Sequence, residues 1–124
     1  MDLHTPANAV PNVDGTDLGD LLEDLAGIHP GIDLIRDGLR LIAHDRHTVD
    51  RSQTLAATLG GLTVAALGLS IGRLSNPDTN PCLRELPLDQ QKHARLAGER
   101  TAAALNDPDL HQYAYETAGA IDGA

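Results

Sequence analysis

Two histidines have a spacing that can bind a metal ion. His44 and His47 stand three residues apart in "HDRH", so a helix would place them on one face. With a third ligand such a pair can hold zinc. The motif lacks the glutamate of HExxH and has no cysteine nearby, and Asp37 and Arg40 share its face. We therefore interpret the face as a solvated polar stripe and predict neither a metal site nor a cofactor.

The other reactive side chains also form no catalytic pattern. Cys82 follows a proline and has Arg84 nearby, which would activate its thiol only weakly. Glu23 and Asp24 belong to an exposed acidic face rather than to a buried pair, and His111 has no partner close in sequence. The chain contains no GxSxG, P-loop or GxGxxG motif. We predict that the protein is not an enzyme.

The composition limits the core and the partners. Among 124 residues there is no Trp or Phe and there are 2 Tyr, so any core consists of Leu, Ile, Val and Ala. Such a thin core suits helices that pack through small residues, or a protein that gains burial from a partner. The net charge of −9 disfavours direct nucleic-acid binding. A single cysteine and an N-terminus short of apolar residues favour a cytoplasmic location.

Local signals divide the chain into helices. Thr16 can cap a first helix that Gly27 stops, and Pro30 can begin a second. Thr48 is a plausible cap, which leaves open whether the second helix breaks there or runs on. Two further helices are predicted at about 88–105 and after the Asp107-Pro108 pair, which is typical of a helix start.

These signals predict an all-α fold. We expect a small bundle of four or five helices around a central, Gly/Ala-rich apolar helix. Residues 1–15 would form a flexible lead-in, and 16–124 a single helical domain with a turn-rich break at 75–87.

The central helix raises the main functional question. Ser52 to Gly72 contains no Asp, Glu, Lys or Arg, and these 21 residues would span about 31 Å as a helix, close to the thickness of a bilayer core. Its few aliphatic side chains favour insertion by only about 2–4 kcal/mol, and no aromatic belt flanks it. Both a buried soluble helix and a single membrane span at about 54–72 are therefore open.

One face of this helix consists of small residues. They recur at steps of three or four and include a GxxxG motif, which lets helix backbones approach closely; they are Ala57, Gly61, Ala65, Gly68 and Gly72. We predict that this face packs against another helix, either within the chain or in a second copy of it.

Three hypotheses about function follow. The first is a small non-enzymatic interaction or assembly protein that acts through helix packing, with a protein partner that can be a second copy. The second is a single-pass membrane protein. The third is an acidic inhibitor of a basic partner, acting through the carboxylates of the first helix: Asp17, Asp20, Glu23 and Asp24.

Overall fold

The computed structural model describes residues 9–123, which form helices and loops without a strand. The predicted all-α, bundle-like fold with an apolar central helix is confirmed. Residues 9–15 are not helical, whereas the first eight residues of the predicted lead-in lie outside the described part. The chain divides into two compact units, residues 1–46 and 47–124. Two units can belong to one domain, so a single domain over 16–124 stays a prediction.

The first unit contains two helices with side-chain caps at their N-termini. α1 is Asp17–Asp24, and the Thr16 hydroxyl accepts a hydrogen bond from the Gly19 amide at 3.2 Å. α2 is Pro30–His44, and the ring of His29 accepts from the Gly31 amide at 2.8 Å. Gly27, between them, has a φ of +79°, a conformation that glycine adopts without strain. The predicted cap at Thr16, the stop at Gly27 and the helix start at Pro30 are therefore at the expected residues.

A small apolar contact holds this unit together. Leu22 is 1% exposed and Val13 is 7% exposed. The Val13 carbonyl leaves no room for a side chain at Gly19, so the lead-in lies directly on α1. The Val13 amide also donates to Nε2 of His44 at 3.4 Å. One leucine thus provides most of the buried side-chain volume of α1.

The second unit begins with the apolar helix. α3 (Val49–Thr58), a π-helical turn (Leu59–Thr63) and α4 (Val64–Leu74) follow one another without a break. We call this continuous 26-residue element, Val49–Leu74, the long helix. The Thr48 hydroxyl caps it by accepting from the Arg51 amide at 3.1 Å, so the chain does break at Thr48. The Gly60-Gly61 pair does not interrupt the long helix. The π turn holds one residue more than a regular α-helical turn, and the helix continues through it.

The rest of the chain folds back along the long helix. A 3₁₀ segment (Pro81–Glu85) leads to α5 (Leu88–Leu105) and α6 (Pro108–Asp122). α5 packs on α4 and α6 packs on α3, which makes an antiparallel helical hairpin. At its tip the Asn80 side chain donates to the Leu74 carbonyl at 2.8 Å, and at its open end Gln53 donates to Asp122 at 2.9 Å. The predicted boundaries of α5 and the Asp107-Pro108 start of α6 are confirmed.

The contribution of the buried Leu22 to the stability of the first unit can be tested by substitution. Leu22→Ala should destabilise it by about 2–4 kcal/mol, because it removes a fully buried side chain and leaves a cavity. Native-state hydrogen exchange of the α1 amides measures this free energy. Leu21→Ala is the matched control: Leu21 is 62% exposed, so its loss should change the free energy by less than about 0.5 kcal/mol. Equal effects of the two substitutions would contradict this packing.

Candidate interaction surface of the helical hairpin

The small residues of the long helix lie against the chain's own return helices. Gly68 is buried, and a Cβ atom placed on it would lie 2.9 Å from Cβ of Leu105 and 3.2 Å from Cα of Ala102. A Cβ atom on Gly72 would lie 3.8 Å from Cβ of Ala102. A Cβ atom on Gly61 would lie 3.1 Å from the Tyr115 hydroxyl.

Intrachain packing therefore occupies the glycines of the predicted small-residue face. The remaining members, Ala57 and Ala65, are half-buried on the same helix. Self-association through this face stays a prediction, and it would require the hairpin to open first. Within one chain the close approach of the backbones already uses the GxxxG motif.

Two glycines at this contact were not identified from the sequence. A Cβ atom on Gly60 would clash with Cβ of Ala114, and one on Gly98 would clash with the Ser75 side chain while lying 3.4 Å from Cα of Gly72. A signal was present for Gly98, because Ala94, Gly98 and Ala102 recur at steps of four on α5. We call the contact made by Gly60, Gly61, Gly68, Gly72 and Gly98 the glycine seam.

His111 lies where the return helix is interrupted. It is buried, and its Nε2 lies 2.6 Å from the carbonyl oxygen of Leu105, in the last turn of α5. With Nε2 protonated, the ring donates to a carbonyl that has no amide partner at the end of its helix. His111 therefore has a structural role at the junction of α5 and α6, which the sequence did not indicate.

The sides of the long helix that do not face α5 and α6 are apolar and uncovered. Leu62 is 76% exposed, Leu69 is 63% exposed and Leu74 is 66% exposed. Leu67 and Ile71, at 42% and 40%, complete this surface. We call these five residues the apolar face. Because the glycines face the return helices, the larger side chains lie on the remaining sides of the long helix, and exposed apolar side chains of this kind are typical of an interaction site.

The other candidate residues form no comparable site. Nε2 of His44 accepts a hydrogen bond from the Val13 amide. Cys82 is exposed, and its thiol lies 3.2 Å from Oδ1 of Asn80. Within residues 9–123, no three His, Cys, Asp or Glu side chains are grouped so that they could hold a metal ion. The carboxylates proposed for binding a basic partner are all exposed on α1: Asp17, Asp20, Glu23 and Asp24. Their role stays a prediction.

Comparison with protein-family models, with curated proteins and with solved structures finds no match to this chain.

The glycine seam can be tested with two glycine-to-alanine substitutions in the same hairpin. Gly60→Ala should destabilise it by about 1–3 kcal/mol, because the added methyl group overlaps the side chain of Ala114. Gly119→Ala, in α6, has nothing within 4 Å of the added atom and should stabilise the hairpin by about 0.5–1 kcal/mol.

Urea unfolding followed by tyrosine fluorescence measures both effects. Tyr113 and Tyr115 are the only aromatic residues in the sequence apart from histidine, and both lie in α6, so the signal reports on the hairpin. The seam would be contradicted if Gly60→Ala were as stabilising as Gly119→Ala.

Proposed function

We propose that the protein is a small, non-enzymatic helical interaction protein that docks a protein partner on the apolar face of the long helix. The observation that supports this most is the exposure of three leucines on a helix whose other side is already packed. Burying one such leucine contributes about 1.5–3 kcal/mol, so the face could stabilise a complex substantially. No charged group between Ser52 and Gly72 would need to be desolvated.

The polar outer surface of α5 supports a location in water. The outer side of α5 is polar and includes Asp89, Lys92, Glu99 and Arg100, all exposed. Because Gly98 lies against Gly72, the neighbouring Glu99 and Arg100 are level with the C-terminal part of α4. A hairpin placed in a bilayer would bring these charges to the hydrocarbon region or its edge, which disfavours insertion of the folded hairpin. We therefore propose a cytoplasmic protein.

A single-pass membrane protein is the second candidate. Among the described residues, Val49–Leu74 is long and apolar enough to cross a membrane, and only 11% of its most apolar window is buried. The core helix of a soluble protein is mostly buried, so this low burial supports the second candidate. In this hypothesis α5 and α6 separate from the long helix, and the glycine seam becomes available to another membrane helix.

Site-specific photo-crosslinking tests the proposed function. Benzoylphenylalanine replaces Leu62 in the full chain, and Leu88 is replaced in a matched control, because each leucine is 76% exposed but Leu88 lies outside the apolar face. Irradiation in cells should give protein adducts at position 62 and few at position 88. Equal adducts at both positions, or none at either, would overturn the proposal.

Cell fractionation separates the two candidates. The proposal predicts that the chain stays in the supernatant after high-speed centrifugation without detergent. A carbonate-resistant membrane pellet, with lipid adducts at position 62, would support the single-span hypothesis instead. The adducts at position 62 thus identify the class of molecule that covers the apolar face.

A further inference from the structure

One side of the long helix has an exposed acid near its start and an exposed base near its end, while the exposed Arg51 lies about 100° around the helix from Asp50. Asp50 lies in the first turn and Arg73 in the last, both are exposed, and neither side chain has an ion-pair partner within residues 9–123. Between them, residues recur at steps of three or four. We call this set the outer stripe: Asp50, Thr54, Thr58, Leu62, Ala66, Leu69 and Arg73.

The π turn keeps the outer stripe on one side of the helix. In a regular α-helix, each step of four residues rotates about 40° beyond a full turn, so four such steps would carry Leu62 and Ala66 away from Asp50. The π turn Leu59–Thr63 adds one residue and takes back roughly 100° of this rotation. The exposure of Thr54, Leu62, Ala66 and Leu69 agrees with a common outward direction.

The stripe is complementary to itself when reversed. Leu62 lies near the middle of the stripe, 12 residues after Asp50 and 11 before Arg73, and Thr54 and Leu69 lie on either side of it on the same side of the helix. An antiparallel copy with its two-fold axis at Leu62 therefore places Asp50 opposite the second copy's arginine at position 73, at both ends of the interface. The uncharged residues between the ends lie against each other.

We propose that the partner on the outer stripe is a second copy of this chain, bound antiparallel about Leu62. This inference rests on the proposed function and names the partner for the part of the apolar face that belongs to the outer stripe, Leu62 and Leu69. Two-fold symmetry repeats each ion pair, and charge complementarity at the rim sets the register and orientation of the pair. The contact is a single helix pair, near the lower limit of specific interfaces, and we expect a dissociation constant on the order of micromolar.

The oligomeric state of the full chain tests this assignment. Sedimentation velocity over a concentration series should show the 13.1 kDa monomer converting to twice that mass. Asp50→Arg gives a stripe with two positive ends, and Arg73→Asp gives one with two negative ends. Each variant alone should dimerise about tenfold more weakly than wild type, because two attractive pairs become repulsive.

An equimolar mixture of the two variants provides the decisive control. Both ends are complementary in the mixed pair, so the mixture should recover wild-type affinity. A monomer at all concentrations, a dimer insensitive to both substitutions, or a mixture without recovery would overturn the assignment. A different protein crosslinked at position 62 would overturn it too, while leaving the proposed interaction function intact.

Disulfide formation by a cysteine on the two-fold axis gives a second test of the dimer. This test does not require the charge variants to fold. In a Cys82→Ser background, Leu62→Cys should form a disulfide-linked dimer, because a residue on the axis meets its own copy. Leu88→Cys is the control, equally exposed at 76% but away from the stripe, and should form little. Equal crosslinking of both variants would contradict a two-fold contact at Leu62.

Discussion

The close approach of two backbones at the glycine seam is the constraint on which the hairpin depends. Gly68 lies so close to Ala102 that a Cβ atom on it would be crowded, and a Cβ atom on Gly72 would be in van der Waals contact with Ala102 and Gly98 on α5. Such proximity increases dispersion contacts along both helices, although each contact is weak. It also fixes the rotation of the long helix, because only its small-residue side fits against α5 and α6.

That rotation explains the unusual surface of the hairpin. In most soluble bundles leucines fill the space between helices, but here glycine and alanine occupy it and Leu62, Leu69 and Leu74 are turned outward. The fully buried large side chain of the described residues, Leu22, belongs to the other unit. The hairpin therefore buries little apolar side-chain area by itself, and a partner on the apolar face would add the burial that the seam does not provide.

Local chemistry accounts for the parts of the fold that could be predicted. The caps at Thr16 and Thr48 and the Asp107-Pro108 start each depend on residues within one helical turn, so their identity alone located the helix ends. The small-residue face was also visible from spacing. Its partner was not, because pairing Gly68 with Ala102 depends on tertiary packing between distant segments. The outward leucines follow from that pairing, so they could not be identified earlier.

The most direct test of this account is an engineered disulfide across the glycine seam. A Cβ atom on Gly72 would lie 3.8 Å from Cβ of Ala102, which is within the range that a disulfide requires. The chain with Gly72→Cys, Ala102→Cys and Cys82→Ser would be oxidised and its intact mass measured. Packing at the glycine seam should give a disulfide within one chain, seen as the loss of two hydrogens from the monomer. Free thiols after oxidation, or a link between two chains, would contradict it.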